Sequence, residues 1–147
     1  MEFDELSRSV IGCAIEVHRT LRPGLLESTY RQCLAYELSH AQIRFQMELP
    51  LPVRYKDVLL DCGYRIDLLV SGDLIVEVKA VEMLLPIRQA QILTYMRLAK
   101  IPIGLLIIST SRNCRTASNV SSYKLLRALR VLRGEIKSAV LGGSLRA

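Results

Sequence analysis

The chain has no tryptophan, two phenylalanines and two histidines among its 147 residues. Its core must therefore be aliphatic, and histidine-centred metal or acid–base chemistry has little material to work with. There is no Gly-rich phosphate loop and no Ser-His-Asp set, so nucleotide processing and triad hydrolysis are left without support. The four cysteines, Cys13, Cys33, Cys62 and Cys114, form no C-x-x-C pair, which removes the spacing a structural zinc site needs. Free thiols are expected, with Cys13 and Cys33 acting as small core residues on helix faces. The longest apolar run, around Ile101 to Ile108, is too short to span a bilayer. The N-terminus, Met1 to Glu5, is acidic and lacks the basic-then-apolar order of a signal peptide. The expectation is a soluble, cytoplasmic protein without membrane contact.

What is present is hydrophobic material and unevenly placed charge. Half of the residues are hydrophobic, enough for one domain with a sizeable core. Met1 to Thr110 carries 12 Lys/Arg against 13 Asp/Glu, whereas Ser111 onward carries 8 against Glu135 alone. The net charge of +6 thus belongs to the C-terminal stretch.

Leu6, Val10, Cys13 or Ala14, Val17 and Leu21 recur at helical intervals and predict a helix over about 4–21. His18 near its end reads as an ordinary surface or core residue. Arg22-Pro23-Gly24 breaks that helix, and a second follows over about 26–39, with Leu26, Tyr30, Cys33 or Leu34, and Leu38 buried. Glu27 and Tyr30 are neighbours on its surface. An acid in the first turn also suits the helix dipole, so capping alone accounts for Glu27. Ile43 to Glu48 and Val53 to Lys56 read as strands separated by Pro50 and Pro52, which points to a sheet edge or an extended link. Pro86 opens a third helix to about Ala99, placing Gln91 and Tyr95 on one face. Ile103 to Ile108 reads as a buried strand parallel to the one before that helix.

At the centre stand Gly63 to Val70 and Leu74 to Lys79, two apolar runs about a Gly-containing break that predict a β-hairpin. A three-residue loop, Ser71 to Asp73, pairs Val70 with Leu74 and sets Asp67 opposite Glu77. A two-residue loop would set Asp67 against Val78. The first register is preferred because it explains the charges. Opposed carboxylates repel unless a cation lies between them, and hard oxygen donors suit Mg²⁺. Ordinary solvated charges on a sheet face remain the plain alternative.

Asp67 followed ten residues later by Glu77-Val78-Lys79 resembles the core of the PD-(D/E)xK nuclease superfamily. Gly24-Leu-Leu-Glu27-Ser-Thr-Tyr30 resembles the GxxExxY signature of one small bacterial branch, and Gln91-Ile-Leu-Thr-Tyr95 the Q-x-x-x-Y helix of exonuclease-like members. The match covers roughly residues 5–110. The resemblance implies a restriction-endonuclease-like α/β core, a mixed central sheet flanked by helices in the order α-α-β-β-β-β-α-β. It implies Mg²⁺ or Mn²⁺ held by Asp67, Glu77, Glu27 and the Val78 carbonyl. Lys79 would act on the attacking water and the phosphate, with Gln91 and Tyr95 bracing Lys79 and the nucleic-acid backbone. Phosphodiester hydrolysis of nucleic acid, DNA in preference, is the activity implied. The alternative is a nuclease-like fold serving as a non-catalytic nucleic-acid-binding or assembly module.

Residues 1–110 are expected to form this domain and 111–147 a basic loop and amphipathic helix. In that helix Leu125, Leu129, Leu132, Ile136 and Val140 make an apolar stripe, and Lys124, Arg127, Arg130 and Arg133 a basic one. Docking through the leucines, on the domain, a second copy or a partner protein, ranks first. Phosphate contact by the basic face is a compatible addition, and membrane binding ranks last for want of aromatic anchors.

Overall fold

The computed structural model describes residues 4–21, 25–80 and 86–109 in full, and the backbone of 126–132 and 135–141. Helix α1 (Glu5–Leu21) starts where Asp4 caps it: its carboxylate accepts from the Ser7 amide at 2.9 Å and the Ser7 hydroxyl at 2.7 Å. Helix α2 (Glu27–His40) follows, and then β1 (Phe45–Pro50), β2 (Val53–Tyr55) and β3 (Val58–Leu60). The central hairpin is β4 (Arg65–Val70) and β5 (Leu74–Ala80). Helix α3 (Pro86–Ala99) leads to β6 (Ile103–Ser109), β7 (Leu126–Leu132) and β8 (Glu135–Leu141).

Six strands form one mixed sheet in the order β1-β4-β5-β6-β7-β8, and β2 and β3 pair separately as a hairpin. β5 and β6 are parallel, which requires a crossover, and α3 supplies it. β1 is a sheet edge, where Pro50 can close a strand without an unmet ladder bond. Pro50 pairs with Arg65, so β1 starts and ends two residues later than the sequence pattern implies.

Helices cover both faces. On one, Val10, Ala14 and Val17 of α1 and Tyr30, Leu34 and Leu38 of α2 pack on Leu68, Val70, Val76, Val78, Leu105 and Ile107. Tyr30 bolts the two helices together, its buried hydroxyl donating to the Ala14 carbonyl at 2.8 Å. On the other, Ile92, Tyr95 and Met96 of α3 pack on Ile66, Ile75, Leu106 and Ile108. Cys13 and Cys33 are free thiols half-buried at the first core's margin, as expected. No helix among the described residues is long and apolar enough to cross a membrane.

α3 lies close on β6 because Gly104 leaves room for it. A Cβ there would meet the Met96 sulfur at 2.7 Å and Ile92 side-chain carbons at 3.0 and 3.1 Å. Met96 can give way to one methyl, but Ile92 is stiff at Cβ and fully buried. Gly104→Val is therefore expected to destabilise the protein by about 2–3 kcal/mol through overpacking, and Gly104→Ala by clearly less. A urea midpoint that does not move in the valine variant would contradict this packing.

The expected C-terminal helix is not what the chain forms. Residues 126–132 and 135–141 are strands, β7 pairing antiparallel with β6 from Ile103↔Leu132 to Ser109↔Leu126, and β8 with β7. The physical reason is the sheet itself. Without β7, the long apolar β6 would present an open row of backbone donors and acceptors, and pairing them outweighs local helix propensity. In the sequence, a Gly-containing dipeptide between two apolar runs, Arg133-Gly134, is a hairpin signal that the helical reading passed over. The leucine stripe and the basic stripe, both defined on a helix, lose their basis, since a period of three or four has no counterpart on a strand. Arg127 lies opposite Ile108 and Arg130 opposite Leu105, whereas Lys124 and Arg133 lie outside the described residues.

Candidate active site

The β4–β5 register follows the three-residue loop: Val70↔Leu74, Leu69↔Ile75 and Leu68↔Val76. Ser71 and Gly72 take φ of +52° and +75° in that loop, and the Asp73 amide closes it onto the Val70 carbonyl at 3.1 Å. The next pair in register is Asp67 with Glu77, and here the backbone ladder gives way to side chains. The Asp67 amide donates to Glu77 Oε1 at 3.0 Å, and the Val78 amide donates to Asp67 Oδ2 at 2.9 Å. Each carboxylate thus caps an amide of the opposite strand where ladder bonds would otherwise run.

A change of side accompanies this point. Met47 and Leu68 pack in the first core, yet Leu49 and Ile66, two residues along the same strands, pack in the second. A regular strand would keep each pair on one face. The change falls at Glu48, whose φ is +50°, and at Asp67 opposite it. Such local irregularities re-aim side chains beside functional sites.

Lys79 lies on the same face of β5 as Glu77, with Nζ 3.6 Å from Glu77 Oε2. All three groups are buried: Asp67 is 9%, Glu77 2% and Lys79 8% exposed. Glu27 comes from α2 to the end of β5. The N-cap of α2, Leu26, makes no side-chain cap, and Glu27 instead accepts from the Ala80 amide at 3.1 Å. Glu27 thus spans from the start of α2 to the end of β5, one residue past Lys79, and its place in the first turn suits the helix dipole as well.

Gln91 and Tyr95 are brought to each other, Gln91 Nε2 donating to the Tyr95 hydroxyl at 2.8 Å. The expected brace between this pair and Lys79 is not among the hydrogen bonds of the described residues; Lys79 pairs with Glu77 instead. The Tyr95 ring packs at 5.6 Å on that of Tyr64, which precedes β4 and is 39% exposed. An open cleft of about 570 Å³ elsewhere, lined by Ile43, Phe45, Leu69 and Gly72 among others, carries no carboxylate and is not a competitor.

One residue of the site went unforeseen. Arg31 sends Nη1 to Asp67 Oδ1 and Nη2 to Glu48 Oε1, both at 3.0 Å. A signal was available: Arg31 follows Glu27 by four on α2, so both lie on one helix face.

The electrostatics set the charge of Glu77 against its burial. Burial above all, and then the neighbouring Asp67 carboxylate, push the Glu77 carboxyl up to about 8. The Asp67 amide and Lys79 pull it back without outweighing them. Among the described residues, no group of three or more His, Cys, Asp or Glu is gathered so as to hold an ion unaided. The donor set nonetheless suits a hard cation, which is commonly held by one or two carboxylates plus waters and substrate phosphate. Two adjoining buried carboxylates fit that description.

A mixed sheet between helix layers, with acids and a lysine where its central hairpin parts, defines an α/β domain of restriction-endonuclease-like architecture. The family model of the PD-(D/E)XK nuclease superfamily matches residues 4–116, and the chain belongs to that superfamily. Its members are generally nucleases and typically use divalent metals. No curated protein and no solved structure gives a significant match to this chain.

Proposed function

We propose that this protein is a divalent-metal-dependent nuclease acting on DNA, of the GxxExxY branch of its superfamily. The observation that carries the reading is the pair of crossed hydrogen bonds, Asp67 amide to Glu77 carboxylate and Val78 amide to Asp67 carboxylate, with Lys79 beside them and Glu27 on the Ala80 amide. Asp67 and Glu77 would hold Mg²⁺ or Mn²⁺, with Glu27 and the Val78 carbonyl completing the set. When bound, the ion supplies Lewis acidity toward the phosphate and lowers the pKa of its water.

The chain's own groups do the rest. Lys79, held by Glu77, orients the attacking water and offsets charge gathering on the phosphate oxygens. The Gln91–Tyr95 pair, with Tyr64 on its flank, bears on the nucleic-acid backbone from α3. The stretch from Ser111, rich in Lys and Arg, adds sequence-independent attraction for phosphate.

A competing reading, a nuclease-like fold used as a binding module, draws on Arg31, which already offsets the charge of Asp67. A panel of single-stranded, double-stranded and branched DNA and RNA substrates with Mg²⁺ or Mn²⁺ separates the two. Cleavage of at least one DNA substrate, abolished by chelation and lowered about 10²–10⁴-fold by Lys79→Ala, is the expected result. Cleavage as fast in Lys79→Ala as in the parent would remove the assignment.

A further inference from the structure

Arg31 occupies an unusual position for a structural ion pair. Its guanidinium is shared between two carboxylates of opposite character, Asp67 with a side chain 12% exposed and Glu48 with one 58% exposed. An exposed pair contributes little, so the contact with buried Asp67 holds the arginine in place. Its Nε is buried and has no hydrogen-bond partner, so the fork is aimed at the two acids at the expense of its third nitrogen. Oδ2 of Asp67 is engaged by the Val78 amide, which leaves Oδ1, the oxygen Arg31 takes, as the better placed one for an incoming cation.

We infer that Arg31 is the resident counter-ion of the metal-free site and competes with the divalent cation for Asp67. The inference rests on the reading of Asp67 and Glu77 as metal ligands. Arg31 is thus a positioning residue. It keeps Asp67 aimed before an ion arrives, and gives up Oδ1 when one does, with Glu48 as the partner it can retain. A site blocked nine-tenths of the time shows an apparent affinity about tenfold weaker than its intrinsic one.

The test is Mn²⁺ calorimetry on the full chain, with thermal melts in chelator and in saturating Mn²⁺. Arg31→Gln is expected to bind Mn²⁺ about tenfold more tightly than the parent. It should melt lower than the parent in chelator and level with it, or higher, in Mn²⁺. A purely structural arginine predicts the reverse, weaker binding and a lower melting temperature in both conditions, and that outcome overturns the inference. Should Arg31→Gln fail to fold, Arg31→Lys carries the test. An ammonium cannot span both acids as the fork does, so this variant should still bind Mn²⁺ several-fold more tightly, and weaker binding again counts against competition. Asp67→Ala separates the two levels. If it abolishes Mn²⁺ binding while Arg31→Gln leaves affinity unchanged, the metal site stands and the competition fails. If no protein in the series shows Asp67-dependent Mn²⁺ binding, the metal reading falls and the inference with it.

Discussion

Glu77→Gln is expected to give a protein that is inactive and, without metal, more stable than its parent. The glutamine oxygen can still accept from the Asp67 amide, which Glu77 Oε1 now does at 3.0 Å. What is lost is the negative charge that would hold the ion and that keeps the Lys79 ammonium 3.6 Å away. Losing the cation that this carboxylate would hold forfeits several kcal/mol of stabilisation of the charge on the reacting phosphate, so cleavage should fall at least ~10³-fold. The same charge is unfavourable to the fold, because burial and Asp67 both oppose it. Neutralising it should stabilise the metal-free protein by about 2–4 kcal/mol at pH 8, where each unit of pKa displacement is worth ~1.4 kcal/mol. Denaturant unfolding in chelator measures the stability, and a nicking or exonuclease assay the loss. An inactive variant that is also less stable would mean that Glu77 is held by favourable contacts that outweigh its burial.

Most of this site was legible because strands and helices impose fixed periods. Alternation put Glu77 and Lys79 on one face, and loop length set Asp67 across from Glu77. The paired residues run as that count requires, down to Leu68↔Val76. The parallel pairing of β5 with β6 followed from an apolar run beyond an intervening helix. Periodicity misled at residues 125–140, where leucines and arginines at intervals of three and four fit a helix. Whether a segment pairs depends on whether a neighbouring strand has an open edge, and β6 has one that only the folded sheet reveals. Arg31 went unread for a related reason. A lone arginine on a helix surface is ordinary, and only the packing of α2 over β4 brings it to Asp67. The reversal of facing at Glu48 rests on a backbone angle of +50°, which no glycine or asparagine marks in the sequence.

Stability in chelator should fall as the pH is raised from about 5 to about 8, and divalent metal should offset the fall. The sign follows from proton counting. Glu77 has its carboxyl raised to about 8 in the fold from the ordinary value of 4.5. Between those values the folded state binds a proton that the unfolded chain has released, so rising pH favours unfolding. His18 acts in the other direction. Burial lowers its pKa from 6.5, so it favours folding as the pH climbs toward that value and adds nothing further above it. The net fall should therefore be clearest from pH 6.5 to 8. Comparison with Glu77→Gln isolates the carboxyl, since His18 is common to both proteins and the variant's curve should stay nearly flat over that interval. An ion bound by the carboxylate pair stabilises only the folded state, by an amount that grows with the ratio of its concentration to its Kd. Saturating Mn²⁺ should thus raise the parent's melting temperature more at pH 8 than at pH 6, where the Glu77 proton competes for the same oxygens. A parent whose stability in chelator rises throughout this range, or whose response to Mn²⁺ is the same at both pH values, would show that the buried pair carries no uncompensated charge.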